Sequence, residues 1–458
     1  MHYPATLRLR GMTNEAIPTV TTHTATTQAA MPQTVQGMAI GGLVDRDRLT
    51  RTADWLAVAV AVSLPWSTTA SGVLIALWLV ALLPTLNLQA LRNTLVMPAA
   101  ALPVALVVLG LIGMTWGDVD IAERINPIKS ILRLLTIPLL FIQFRNSPRG
   151  IWVVGSFLVS CGVLLVMSFV FATWPAISLR PDTFPGVPVK DYIIQSSEFL
   201  ICAVALAHLS ISAWRDGRRR LALGLAAFAL AFLINIAFVA TARSTLVAFA
   251  VLLAVLAFQR FDWKGVVAVL CAGVILAGLA WLSSPYLRGR VLAVAGEIQQ
   301  YQTADAPTSS GLRLEFWKKS VQLIAAAPVL GHGTGSVKEL FRRMASEGEG
   351  ASAEVTAQPH NQTLNVAIQI GLVGVAILFG LWISHLMLFR GQDLASWLGS
   401  AIVTQNIVLG LFNSYLSEFT LGWVYVFGVG VLGGMVLRRR AGDVAHASST
   451  AECGRDGR

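Results

Sequence analysis

The sequence predicts an all-α integral membrane protein, and three observations carry that prediction. Over 458 residues the chain is 55% hydrophobic and only 13% charged, with a mean hydropathy of +0.67, which excludes an ordinary soluble globular domain. The apolar residues fall in runs close to the roughly 20 residues a helix needs to cross a bilayer. Arginines flank those runs, so the net charge of +10 reads as a topology signal, and no nucleic-acid-binding module accompanies it.

Taken in order, residues 1–51 are rich in Thr, Ala, Gln and Gly and lack periodicity, as expected of a disordered cytoplasmic tail. No compact apolar core followed by a cleavage site stands near the start, so no secretory signal peptide is expected. About twelve transmembrane helices follow. Those within 52–283 are expected near 53–68, 70–86, 96–116, 130–145, 150–174, 192–214, 219–240, 243–259 and 263–283. Those within 361–437 are expected near 361–389, 394–413 and 417–437, and 438–458 is a second cytoplasmic tail. Pro65 and Pro84 interrupt the first two spans, and Thr241-Ala242-Arg243-Ser244 separates the seventh from the eighth. Cys161, Cys202 and Cys271 lie in apolar runs and Cys453 in the tail, so no disulfide is expected.

Lys and Arg set the orientation. One alternate set of connections holds Arg92; Arg145 and Arg149; Arg215, Arg218, Arg219 and Arg220; Arg260 and Lys264; Arg390; and Arg438-Arg439-Arg440. The positive-inside rule makes these cytoplasmic, along with both termini. The other set holds Arg124 and Lys129, Arg180 and Lys190, Arg243, and the long 284–360 loop between spans nine and ten. That loop, Arg243 and His360 are thereby expected on the outer face.

The loop carries its own helical signals. Leu287, Val291, Val294, Ile298 and Tyr301 recur at helical spacing over Tyr286 to Gln302. Thr308-Ser309-Ser310 is a capping sequence for a second helix near 311–326. Its apolar stripe is Phe316, Trp317, Val321 and Ile324 with Arg313 near the centre, and Glu315, Lys318, Lys319 and Gln322 fall opposite. A buried arginine is costly without a counter-ion. Gly331-His332-Gly333-Thr334-Gly335 reads as a tight turn before a short helix near 336–346.

The stretch Gln358-Pro359-His360-Asn361-Gln362-Thr363-Leu364-Asn365 opens the tenth span. Pro359 ends an extended run and His360 stands at the first turn. Asn361, Asn365 and Gln369 form one polar stripe. Two readings fit: a helix cap followed by interhelical hydrogen bonds, or a general base beside a hydroxylated substrate with amides that orient it. Arg243 and Arg313 near two helix N-termini suit a pyrophosphate, with Arg288 and Arg290 as further candidates; lipid-headgroup contact is the competing reading. His332 is a supporting candidate or simply part of its turn. Glu198, an intramembrane carboxylate, is expected to pair with Arg243. His208 and His385 read as packing or interhelical hydrogen bonding. Asp118-Val119-Asp120 is a three-residue acidic pattern, and solvated loop carboxylates are its simpler reading, so no metal site and no cofactor is expected.

Thr241-Ala242-Arg243-Ser244, Gly311-Leu312-Arg313-Leu314-Glu315-Phe316-Trp317, Pro328-Val329-Leu330-Gly331-His332-Gly333 and His360-Asn361-Gln362-Thr363-Leu364 together resemble the O-antigen ligase and polymerase superfamily of bacterial envelope glycosyltransferases. The resemblance spans roughly residues 50–437. It implies a ligase that moves O-antigen glycan from undecaprenyl pyrophosphate to a lipid A–core sugar, with periplasmic chemistry at the inner membrane and neither ATP nor metal. It also implies that Arg243 and Arg313 bind the pyrophosphate and that His360 is the base. An O-antigen polymerase and a protein O-oligosaccharyltransferase use the same kind of donor. A membrane transporter, the rival of another class, needs polar residues across the midplane, often on broken helices.

Overall fold

The structure, a computed structural model, describes residues 45–177 and 184–453. Residues 1–44 of the expected tail, and Arg180, lie outside the described residues. All regular structure among the described residues is helical. In order the helices are α1 (Arg46–Ser63), α2 (Thr68–Leu82), α3 (Leu88–Leu95), α4 (Pro98–Gly113), α5 (Ile121–Ile131), α6 (Thr136–Asn146), α7 (Gly150–Thr173), α8 (Tyr192–Arg215), α9 (Arg219–Phe238), α10 (Arg243–Arg260), α11 (Trp263–Ser283), α12 (Pro285–Ala304), α13 (Ser309–Ala326), α14 (Val337–Arg343), α15 (Gln362–Leu388), α16 (Leu394–Gly410) and α17 (Phe419–Cys453).

Every expected span overlaps helix, although 130–145 crosses from α5 through the 3-10 turn Leu132–Leu135 into α6, and not every helix is a long apolar one. Among the described residues eight helices are long and apolar enough to cross a membrane, or nine if one bent pair counts as a span. That pair is α3 and α4, which meet at 93° where Pro98 starts the second helix. Arg243–Gln259 and Leu394–Gly410 are apolar but shorter. The helix α1 starts at Arg46, inside the stretch expected as tail, with Asp47 in its first turn complementing the dipole. The last helix runs to Cys453, through most of the expected second tail.

Packing divides the apolar side chains into three groups. One gathers α1, α2, α4, α6 and α15 to α17 around Trp78, Phe141, Phe144 and Tyr425. A second joins α7 to α10 and α16 around Phe199, Phe232 and Leu252. The third is small: Phe316, Leu323, Val337, Phe341 and Ile368 fasten α13 and α14 of the long loop to α15. Polar groups inside the bundle are mostly paired. Asp54 of α1 takes Arg149 at 3.1 Å and Gln143 at 2.9 Å. His385 lies between Tyr425 at 2.8 Å and the Ala99 carbonyl at 2.9 Å, the interhelical bonding expected of it, while His208 packs against Trp397.

Two expectations need correction. The tenth span is not one continuous helix. Ile370 (φ −129°, ψ 19°) and Gly371 (φ 66°, ψ −166°) break α15, and residues 328–333 fill the break. His332 N and Gly333 N donate to the Ile368 and Gln369 carbonyls at 2.8 and 2.9 Å, and Leu372 N donates to the Pro328 carbonyl at 2.8 Å. The loop thus supplies the backbone partners that the interrupted helix lacks, the condition for non-helical backbone among packed helices. A Cβ at Gly371 would stand 2.0 Å from the Val329 oxygen.

The second correction concerns α13. Glu315 and Lys319 are buried and Val321 is exposed, while Lys318 and Gln322 are exposed and Phe316 is buried, so only part of the charged face is the solvent face. The reason is a polar cover: Glu315 accepts from the Tyr301 hydroxyl at 2.7 Å and pairs with Lys319 at 3.5 Å, and Lys319 donates to the Ser352 carbonyl at 2.6 Å. Asp305 holds that cover down, accepting from Ser352 N at 3.1 Å.

Candidate functional site

The site grows from the ends of four helices. After α9, the Thr241 hydroxyl turns back to the Ile236 carbonyl at 2.8 Å and Ala242 is extended, so α10 starts at Arg243. Thr245, one turn on, is buried against Ser196 at 3.0 Å, which locks α10 to α8. Arg243 thereby projects at a helix N-terminus and reaches Glu297 of α12 with both terminal nitrogens, at 3.1 and 3.4 Å. Glu297 also accepts from Ser310 N at 3.0 Å and the Ser310 hydroxyl at 2.6 Å. Thr308 is the cap expected of it, accepting from Gly311 N at 3.2 Å. This set of bonds places the start of α13 beside Arg243.

Arg313 follows on α13. Burial lowers its pKa; Tyr415 works against that, Arg243 adds to it, and Tyr192 and Glu297 oppose it. Among the described residues no carboxylate pairs with Arg313. A half-buried guanidinium without a counter-ion is a strong anion attractor. Tyr192, at the start of α8, receives a hydrogen bond from Arg290 at 3.0 Å and lies 5.1 Å beneath its guanidinium, whose Nε is buried with no partner. Arg243, Arg290 and Arg313 therefore gather around Tyr192 and Glu297. Arg288 does not join them, since it donates to the Trp281 and Leu282 carbonyls at 2.8 Å and closes α11.

His360 is brought to the same place by α13. Its ring stacks on Phe316, one turn from Arg313, with centroids 6.0 Å apart and planes 24° apart. Burial holds the imidazole below its ordinary pKa; the Asn413 hydrogen bond opposes this and nearby Arg313 reinforces it. The ring is then neutral near pH 7, the form that accepts a proton. Its backbone is left-handed (φ 51°), and Nδ1 lies 3.2 Å from Asn413 Oδ1. Tyr415, two residues beyond, is buried and its phenol is pushed up to about 12. Glu297, Asn413, Tyr192 and Tyr415 are absent from the sequence-derived candidates; their only signal is contact across long sequence separations.

The remaining candidates sit around this centre. Asn361 caps α15, accepting from Thr363 N and Leu364 N at 3.0 and 3.1 Å. Asn365 and Gln369 bond to each other at 3.2 Å, and Gln369 accepts from Gly335 N at 2.9 Å, so this pair braces the break in α15. His332 belongs to the filling loop and bonds the Leu323 carbonyl at 2.8 Å. Glu198 does not pair with Arg243, which Glu297 engages instead. It is fully buried in α8, neither carboxyl oxygen has a hydrogen-bond partner, and the cation acting on it is Lys190. Asp118 pairs with Arg343 at 3.2 Å, and among the described residues no three His, Cys, Asp or Glu side chains are grouped to hold a metal ion.

Residues 226–379 match the family model described as O-Antigen ligase. The match covers about a third of the 458-residue chain and is a similarity to the O-antigen ligase family over that segment. The matched residues run from α9 past the break in α15, and they contain Arg243, Arg288, Arg290, Arg313, His332, His360, Asn361 and Asn365. Comparison with curated proteins gives no match. The matched family implies glycosyltransferase-type chemistry on lipid-linked glycans in a membrane context.

Proposed function

We propose that the protein is an O-antigen ligase. It transfers a glycan from undecaprenyl pyrophosphate to a lipid A–core sugar, on the periplasmic face of the inner membrane. The observation that carries this reading is that Arg313, which has no carboxylate partner among the described residues, stands one helical turn from Phe316, on which the His360 ring stacks. Arg313, Arg243 and Arg290 bind the donor's pyrophosphate and stabilise the charge that develops as it leaves. The acceptor hydroxyl attacks the anomeric carbon and passes its proton to His360. The bond from that carbon to the pyrophosphate oxygen breaks, and the oxygen keeps the electron pair. One displacement inverts the anomeric centre. The arginines do the work that a divalent metal does elsewhere, so transfer proceeds in EDTA.

The topology belongs to the same proposal: about twelve crossings, both termini cytoplasmic, and the 284–360 loop outside. The basic connections support it by meeting one another. Arg439 pairs with Asp393 at 2.7 Å, and Arg215, Phe261 and Gln392 line one cavity of about 410 Å³. The break in α15, a feature that transporters share, is filled by residues 328–333, which speaks against a path through it.

The test is transfer in vitro from a purified undecaprenyl-pyrophosphate-linked glycan to lipid A–core, with donor binding measured separately. His360→Ala is expected to lose transfer by about 10²–10⁴-fold while binding donor. Near-normal transfer by that variant overturns the base assignment. Extension of the donor glycan in place of capping of the core identifies a polymerase.

A further inference from the structure

We propose that Asn413 is a positioning residue that holds His360 in one tautomer, with Nδ1 protonated and Nε2 free to take the proton. This rests on the reading of His360 as the base.

The argument starts with Asn413's own backbone. Its side-chain Oδ1 accepts from Ser414 N at 2.9 Å. A backbone N–H can only donate, so the atom turned toward it is the oxygen and the amide orientation is settled. The same oxygen lies 3.2 Å from His360 Nδ1. An amide oxygen can only accept, so Nδ1 carries the hydrogen. In a neutral imidazole that leaves the lone pair on Nε2. The stack on Phe316 restrains the ring plane.

The bond to Asn413 is one of three. Asn361 Nδ2 donates to the Leu411 carbonyl at 3.3 Å, and Gln362 Oε1 accepts from Leu416 N at 2.9 Å. Three successive residues, 360 to 362, are thus tied to the segment between α16 and α17. Two of those ties survive loss of the Asn413 side chain, so its removal acts on the tautomer more than on the fold. A wrong tautomer presents Nδ1 as the only basic nitrogen and leaves Nε2 as a donor.

The experiment compares Asn413→Ala, Asn413→Asp and His360→Ala in the transfer assay over pH 5 to 9, with thermal unfolding of each. Asn413→Ala is expected to lower kcat by about 10-fold or more, within the general-base contribution, with little change in donor KM. Its acidic limb moves to lower pH, because the lost hydrogen bond was raising the His360 pKa. Asn413→Asp restores an acceptor and adds negative charge, so kcat recovers in part and the limb moves to higher pH. Wild-type kcat and pH profile in Asn413→Ala overturn the proposal. So do equal losses in both variants with an unmoved limb, which show a purely structural residue. Transfer by His360→Ala sinks the base reading itself, a separate outcome.

Discussion

Arg243 and Glu297 form a two-pronged ion pair, at 3.1 and 3.4 Å, that ties α10 to α12, and Glu297 in turn accepts from Ser310 at the start of α13. Burial raises the Glu297 pKa, but the Ser310 hydrogen bonds and Arg243 outweigh it and hold the carboxyl below its usual range. A carboxylate with a depressed folded pKa contributes stability above its unfolded pKa and loses it as pH falls through the folded value. Glu297→Gln is therefore expected to lower the Tm by a few degrees, roughly 2–4 °C, at pH 7. The gap should close at pH values below the ordinary glutamate pKa of about 4.3. A gap that stays constant with pH in thermal unfolding of the two proteins contradicts this.

The arginines separate by partner. Arg313→Ala should weaken binding of the pyrophosphate-linked donor by about 10-fold or more, and Arg313→Lys should recover only part of it, since lysine cannot offer the planar fork. Arg288→Ala should leave donor affinity nearly unchanged, because that guanidinium is engaged by the Trp281 and Leu282 carbonyls. Direct donor-binding measurements on the three variants check the order. Equal losses at Arg288 and Arg313 contradict it.

His360 titrates below its ordinary value of 6.5 because it is buried, with Arg313 adding to the effect. The active form is neutral. Activity is thus retained as pH falls toward 6.5 and declines only below it. The acidic limb of the kcat profile reads this directly, and a midpoint above 7 is incompatible with the geometry described.

Gly371 should tolerate nothing larger. With φ 66° and a Cβ position 2.0 Å from the Val329 oxygen, Gly371→Ala pushes the filling loop out of α15. Gly278→Ala in α11 meets nothing within 4 Å and serves as the control. Yield and thermal unfolding in detergent should fall sharply for the first and stay near wild type for the second.

Most long helices are legible because apolar runs and caps are local, whereas the polar ends of α1 and α17 and the short helices α3 and α5 are not. The three loop helices and the Thr308 cap came from spacing and residue type alone. The break at Gly371 was not legible, since Ile370 to Val375 reads as uninterrupted apolar helix and the partners that permit the break lie some forty residues earlier in the chain. The buried face of α13 was misjudged for a related reason: a periodic stripe shows which side chains are apolar, not whether a polar loop will cover the others. Arg313 and His360 stood out by type and position. Glu297 and Asn413 did not, because each owes its place to a contact 54 or 53 residues away.

The loop that completes α15 also defines what can be exchanged. Residues 328–333 supply hydrogen bonds that the membrane helix cannot make for itself, so neither part is a module. A chimera that replaces the 284–360 loop alone leaves the recipient helix with open backbone groups. The transplantable unit extends from α12 through the residues just after Gly371, and domain swaps with proteins that match the same family model should be cut there.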